Sequence, residues 1–218
     1  MGLFKDRRDA GRKLAQELSA YTGRSDVIVL ALPRGGVPVA YEVARALSVP
    51  LDIFIVRKLG LPGHEELAIG AIASGDVRVL NDDIVHALKI PQGMIETVTR
   101  QELQELERRE RAYRGDRPAP EVRGRIVILI DDGLATGASM RAAVAALRLQ
   151  NPARIVVAVP TAALETCEAF RPEVDEIVCA MTPEPFYGVG RWYEDFSQTT
   201  DEEVQALLEE ATRQLQHG

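Results

Sequence analysis

The 218-residue sequence is poor in several things that would define a function class at once. Its two cysteines, Cys167 and Cys179, are too few for a disulfide scaffold and lack metal-ligand spacing, so they read as a pair of reduced structural thiols. No apolar run approaches the roughly 18 residues that a membrane span needs; runs such as 27–32 and 126–130 have the length of strands. The opening Met1-Gly2-Leu3-Phe4-Lys5-Asp6 has no apolar signal core and lacks the Ser or Thr at position 6 of a myristoylation signal, so a cytoplasmic location is expected. Basic residues are outnumbered, 26 against 33, for a net charge of −7. That argues against broad, charge-driven binding of nucleic acid. There is no Gly-Lys-Ser/Thr phosphate loop, no Gly-x-Gly-x-x-Gly after a strand, no Ser-His-Asp arrangement and no internal repeat.

What is present is an ordinary globular balance, 46% apolar and 27% charged residues, in a length that suits a single domain with at most a small appendage. Residues 27–32, a continuous apolar run, read as a strand buried on both faces, and 51–56, 126–130, 155–159 and 177–180 as further strands. Helical patterns over 6–22, 37–47, 140–149 and near 161–170 alternate with them. The alternation predicts an α/β fold with a parallel sheet of about five strands. Residues 57–66 read as a polar loop punctuated by Gly60, Pro62 and Gly63, and Ser74-Gly75-Asp76 as a hairpin turn. Asn81 is placed to cap a short helix, and Thr200-Asp201-Glu202-Glu203 to open a last one with a capping box. A long helix is expected over 92–114. Its Arg108, Arg109, Arg111 and Arg114, set among glutamates, read as a solvated face with paired charges or, less simply, as an anion-binding set.

The most informative segment is Val127-Ile128-Leu129-Ile130-Asp131-Asp132-Gly133-Leu134-Ala135-Thr136-Gly137-Ala138-Ser139. A buried strand delivers two carboxylates to its C-terminal edge, where open α/β sheets bind ligands. The small-residue loop after them runs into a helix N-terminus, where free N–H groups and the helix dipole favour an anion. Carboxylates beside a phosphate would better accept hydrogen bonds from sugar hydroxyls, or hold a divalent cation. Phosphate, polyol and metal together describe a sugar phosphate. The plainer alternative is a strand-to-helix turn with Asp131 and Asp132 as cap residues.

This segment resembles the phosphoribosyl pyrophosphate (PRPP) motif of type I phosphoribosyltransferases. The resemblance implies that Ala135, Thr136, Gly137, Ala138 and Ser139 hold the ribose 5′-phosphate. It also implies that Asp131 and Asp132 face the 2′- and 3′-hydroxyls and meet magnesium indirectly, through Mg-PRPP. Leu32-Pro33-Arg34-Gly35-Gly36 is similar to the family's pyrophosphate loop, in which a strained or non-proline cis peptide is common. Its glycines allow N–H groups to approach a diphosphate, and Arg34 offers a planar fork. Phe54 to Gly63, with Arg57-Lys58, is similar to the strand end of adenine and orotate phosphoribosyltransferases, which makes Arg57 and Lys58 further pyrophosphate ligands. Residues 59–76 then correspond to a mobile catalytic loop and hairpin. His64 is a proton donor there or simply a surface histidine.

The implied protein is a Rossmann-like, magnesium-dependent transferase of the glycosyltransferase (pentosyltransferase) class, working in nucleotide metabolism. It moves the phosphoribosyl group of PRPP to a nitrogenous base and releases pyrophosphate, with Arg34, Lys58, Asp131 and Asp132 as catalytic groups. A non-catalytic PRPP-sensing regulator is the alternative, and a phosphatase using Asp131 fits less well. Enzymes for 6-oxopurines usually carry an acid where this chain has Ala135, which argues against hypoxanthine or guanine and leaves adenine and orotate open. The fold includes a small hood over the base, drawn from residues 1–24, 90–118 or 183–218 of the single domain. Five of the chain's eleven aromatic residues fall within 186–196. Of these, Phe186, Tyr187, Trp192 and Tyr193 either stack on the base or pin the C-terminal helix. Many relatives are dimers, and the resemblance implies a homodimer.

Overall fold

The chain folds around two continuous apolar strands. The computed structural model describes residues 3–216, the side chains of Glu65 and Glu66 excepted; residues 1–2 and 217–218, at the ends of segments expected to form the hood, lie outside the described residues. In chain order the elements are α1 (Arg7–Glu17), β1 (Val27–Ala31), α2 (Gly36–Leu47), β2 (Leu51–Ile53), β3 (Val56–Leu61), β4 (His64–Ala73), β5 (Val77–Leu80), α3 (Asp82–Ala87) and α4 (Gln92–Arg114). They continue with β6 (Ile126–Ile130), α5 (Ala138–Leu149), β7 (Arg154–Thr161), α6 (Leu164–Phe170), β8 (Glu176–Met181) and α7 (Asp201–Gln216). Among the described residues no helix is long and apolar enough to cross a membrane.

Five strands form a parallel sheet in the order β2-β1-β6-β7-β8. Every residue of β1 and β6 is buried, because the sheet is covered on both faces. Side chains alternate across it. Val27, Val29, Ile126, Ile128 and Ile130 pack with α1, α2, α4 and α7, while Ile28, Leu30, Val127 and Leu129 pack with α5 and α6. At about 1.5–3 kcal/mol per fully buried aliphatic side chain, these two strands are a principal source of stability. From β1 the chain crosses to β2 on one side, and from β6 to β7 on the other. The switch in direction therefore lies between β1 and β6, and it opens a crevice at their C-terminal ends. Capping residues set the helix starts. Asp6 accepts from the Asp9 amide at 2.7 Å, Asn81 from Ile84 at 3.2 Å and the Thr200 hydroxyl from Glu203 at 3.1 Å.

Two expectations are corrected by the fold. Residues 57–66 are not a loop: β3 and β4 pair antiparallel, from Val56 opposite Ala73 to Leu61 opposite His64, in a three-stranded sheet β3-β4-β5. Pro62-Gly63 makes the turn, with Gly63 at φ 83°, a conformation that glycine adopts without a Cβ penalty. The thiols are also not separate. β8 runs beneath α6 and brings Cys179 to Cys167, and the two form a disulfide. The arginines of α4 divide. Arg108 and Arg109 pair with Glu105, as a solvated face would. Arg114 is buried, with Nε 3.1 Å from Asp52 and Nη2 3.3 Å from the Ile53 carbonyl, and ties α4 to β2.

Candidate functional site

Asp131 and Asp132 follow β6 directly and sit in the crevice at the switch point. The backbone amide of Asp132 donates to Asp131 Oδ1 at 2.8 Å and fixes the Asp131 carboxylate against the loop. Burial pushes the Asp131 carboxyl well above the usual carboxylate range, and the charge of Asp132 adds to this. Burial also raises Asp132, against the pull of Arg7. Arg7, in the first turn of α1, places Nε 2.9 Å from Asp132 Oδ2 and donates through Nη1 to the Ser197 carbonyl at 2.7 Å. Its guanidinium lies over the Phe196 ring, 4.0 Å from the centroid. The Tyr193 hydroxyl donates to the Asp132 carbonyl at 2.6 Å, and burial raises its phenol. The acid pair is therefore held from both chain ends.

Beyond the pair, the chain makes a tight loop into α5. Leu134 is bonded to β7 through the Thr161 carbonyl at 3.0 Å, and the Thr166 hydroxyl holds the Ala135 carbonyl at 2.6 Å. Gly137 has φ 76°, and a Cβ there would come within 2.5 Å of the Phe170 ring, so this turn accepts glycine only. The Arg141 amide closes the first helical bond on Gly137, while the amides of Gly137, Ser139 and Met140 have no hydrogen-bond partner among the described residues. Thr136, Ala138 and Ser139 are exposed around them. A helix N-terminus with open amides and hydroxyls is an anion site by its own chemistry.

On the other side of the acid pair, β1 ends in Pro33-Arg34-Gly35-Gly36, and the Pro33–Arg34 peptide is cis. The glycines let this loop close on the carboxylates. A Cβ on Gly35 would collide with Asp132 Oδ2, and one on Gly36 would lie 2.7 Å from the Ile130 carbonyl. Arg34 points to the start of α7, with Nη1 3.7 Å from Asp201 Oδ1, and the Tyr113 hydroxyl donates to the same oxygen at 2.8 Å. Burial, then the charge of Asp201, pushes the Tyr113 phenol up to about 12. Arg57 and Lys58 diverge, as neighbours on a strand must. Arg57 pairs with Glu102 of α4 at 2.6 Å. Lys58 has no ion-pair partner among the described residues and lines a cleft of about 830 Å³ with Ala138 and Arg141. His64 is exposed at the start of β4.

The four aromatic residues separate into two pairs. Tyr193 is buried, 5.4 Å from Phe4 and 5.1 Å from Phe196 between ring centroids, and Trp192 is half-buried. The Phe4 amide bonds the Trp192 carbonyl, and the Glu194 amide the Phe4 carbonyl. This mini-core pins the N-terminal segment, rather than the C-terminal helix, beside Asp132. Phe186 and Tyr187 instead line a cleft of about 420 Å³ with Ala135. Arg7, which touches the acid pair, was not among the candidates. One arginine in a cationic stretch that holds Lys5, Arg8, Arg12 and Lys13 carries no local signal of its role.

The protein is an α/β protein whose parallel sheet carries an acid pair and an open helix start at its switch point, the edge at which open sheets of this class bind ligands. The chain matches the phosphoribosyl transferase domain family over residues 4–179 and belongs to it. Two Mycobacterium tuberculosis proteins, one named "Putative phosphoribosyl transferase Rv0571c", are each 47% identical to it over 98% of its length. The chain spans about half of those relatives, 48%. The crystal structure of TT1426 from Thermus thermophilus is 43% identical, with a TM-score of 0.85 covering 96% of this chain and 99% of that one. A hypothetical protein of Neisseria gonorrhoeae, determined with bound ppGpp, shares the fold at 15% identity and a TM-score of 0.50, covering 95% and 94%.

Proposed function

We propose that this chain binds PRPP at the β1–β6 crevice and transfers its phosphoribosyl group to a nitrogenous base. The observation that carries the reading is the set of amides at Gly137, Ser139 and Met140, without partners among the described residues, on the loop that follows the Asp131–Asp132 pair. Together they match a phosphate and the hydroxyls of one sugar. In the reaction, a base nitrogen bonds to C1 of the ribose as the bond from C1 to the pyrophosphate oxygen breaks. The electron pair leaves on pyrophosphate, and the proton lost by the base leaves with it. Residues 135–139 grip the 5′-phosphate, Asp131 and Asp132 accept from the ribose hydroxyls, and the grip at both ends aligns C1 for attack. Arg34, Lys58 and the Gly35 amide face the diphosphate as its charge develops, with Arg57 behind them, while the Gly36 amide is held by the Leu32 carbonyl. Arg7 is a positioning residue, because its ion pair holds Asp132 in place. The 183–197 segment and α1 form the hood that excludes water.

Magnesium fits this site as part of the substrate. Among the described residues no three His, Cys, Asp or Glu side chains converge on one point, so the protein offers no cage of its own. Two adjacent carboxylates suit an ion that keeps its waters and phosphate oxygens.

The test is calorimetric titration of the chain with Mg-PRPP, repeated on Asp131→Asn/Asp132→Asn. Saturable binding is expected, weakened roughly a hundredfold by the double change, as the loss of two charge-assisted hydrogen bonds predicts. No binding by the unchanged chain sinks the proposal.

A further inference from the structure

Residues 135–139 can grip a phosphate only if the loop shows it N–H groups and turns its carbonyls away, a requirement that rests on the PRPP reading of the crevice. A trans peptide is planar, so its C=O and N–H point in opposite directions. The Ala135 carbonyl shares a peptide with the Thr136 amide, and the Thr136 carbonyl shares one with the Gly137 amide; neither peptide is cis. Whatever holds these two carbonyls therefore aims the next two amides.

Both carbonyls are held by side chains from outside the loop. Thr166, the third residue of α6 and buried, donates its hydroxyl to the Ala135 carbonyl at 2.6 Å. Other helical threonines of the chain, Thr97, Thr99 and Thr212, return their hydroxyls to the carbonyl four residues back in their own helix. Thr166 instead reaches a loop 31 positions away. Arg141, the fourth residue of α5, donates through Nη1 to the Thr136 carbonyl at 2.9 Å. Two further contacts fix its guanidinium. Nε stands 2.9 Å from Glu173 Oε1, and the Phe170 ring lies 4.7 Å away at its centroid. That same ring closes on Gly137. On the other side of the two peptides, the Thr136 and Gly137 amides have no hydrogen-bond partner among the described residues. The first turn of α5 also has no acid, and Arg141 sets a cation close to its positive end, a placement that the helix dipole disfavours until an anion binds.

We infer that Thr166 and Arg141 are positioning residues for the 5′-phosphate. Thr166 aims the Thr136 amide and Arg141 the Gly137 amide, each acting through the peptide whose carbonyl it holds. Arg141 also strengthens its amide as a donor, because a cation on the carbonyl polarises the peptide.

The test is calorimetric binding of Mg-PRPP, with proton–nitrogen correlation spectra of the loop amides, on the unchanged chain and on Thr166→Val, Thr166→Ser and Arg141→Met. Thr166→Val and Arg141→Met should each weaken Mg-PRPP about tenfold, while Thr166→Ser, which keeps the hydroxyl, should bind within about twofold of the unchanged chain. In the spectra, Mg-PRPP should move the Thr136 and Gly137 amide protons of the unchanged chain downfield. Thr166→Val should diminish the Thr136 movement and spare that of Gly137, and Arg141→Met should do the reverse. A role in packing alone would lower the melting temperature without this crossed pattern. Binding by both variants within about twofold of the unchanged chain overturns the inference, and so does an equal loss of both amide movements in each; either result leaves the PRPP site standing. Failure of the unchanged chain to bind Mg-PRPP removes that site and the inference with it. Should Thr166→Val not fold, Arg141→Met, at a partly exposed side chain, decides alone.

Discussion

At the α5 end of the crevice, the amides of Gly137, Ser139 and Met140 have no partner among the described residues, and the loop around them is fixed from behind by Thr166 and Phe170. At the α1 and α7 end the opposite holds. Arg34 faces Asp201, Arg57 is paired with Glu102, and Asp132 is paired with Arg7. One end is preformed and empty of internal partners, whereas the other holds its charges in internal pairs. A phosphate at the first end gains its hydrogen bonds without breaking any. A diphosphate and a ribose at the second must compete with the protein's own ions, which costs affinity and ties binding to the positions of α1, α4 and α7. On the PRPP reading, the free end would set where the ligand sits, and the paired end would have to rearrange to receive it.

The largest effect is expected from breaking the preformed end. Gly137→Ala would put a Cβ where φ is 76° and the Phe170 ring stands 2.5 Å away. A left-handed alanine costs about 1–2 kcal/mol and overpacking about 1–3 more. Thermal unfolding should therefore shift down by roughly 5–10 °C, with Mg-PRPP affinity falling at least about a hundredfold as the amides turn away. Affinity like that of the unchanged protein in calorimetry would show that the phosphate lies elsewhere.

A smaller effect sharpens the contrast at the acid pair. Burial, and then Asp132, raises the pKa of Asp131 above its unfolded value, so the folded state keeps a proton that the unfolded chain has already lost. Stability then falls as pH rises from about 3.9 through the folded value. Asp131→Asn removes that loss and can still accept from the Asp132 amide. Its melting temperature should exceed that of the unchanged protein by roughly 2–4 °C at pH 7, the effect of about 1 kcal/mol in a chain of this size. The gain should vanish below about pH 4. Calorimetric unfolding across that range checks this, and a gain independent of pH would contradict it. A carboxylate kept at the expense of stability is what a binding role predicts.

How far the site can be read from sequence differs between the same two ends. β6, its acid pair and the loop to Ser139 are contiguous, so one apolar run followed by Asp-Asp and small residues carries both position and chemistry. The 92–114 helix is equally legible, since Pro91 precedes its first residue and Gly115, in a left-handed turn, follows its last. The paired end is assembled from distant segments. Arg7 and Asp132 are 125 positions apart, and no local pattern connects them. β3 is hidden for another reason: Arg57, Lys58, Gly60 and Pro62 interrupt any strand alternation, and its extended form depends on pairing with β4. Cys167 and Cys179 meet only because β8 passes under α6, which composition alone does not reveal.

The mildest change tests the paired end. Asp201 is the first residue of α7, its carboxylate stands 3.7 Å from Arg34, and both side chains are more than a third exposed. Asp201→Asn keeps an acceptor for the Tyr113 hydroxyl and removes the charge that competes for Arg34. An exposed pair of this kind is worth about 1 kcal/mol at most, so Mg-PRPP should bind up to about fivefold more tightly. The gain should shrink as salt is raised from 50 to 500 mM, on the order of the screening that shortens the Debye length from over 10 Å to a few ångströms. Melting temperature should hardly move, because the hydrogen bond to Tyr113 survives. Calorimetry at the two salt concentrations separates the outcomes. Tighter binding that salt erases identifies Arg34 as a diphosphate ligand released from an internal competitor, whereas unchanged or weaker binding means that Asp201 serves only to fasten α7 to α4.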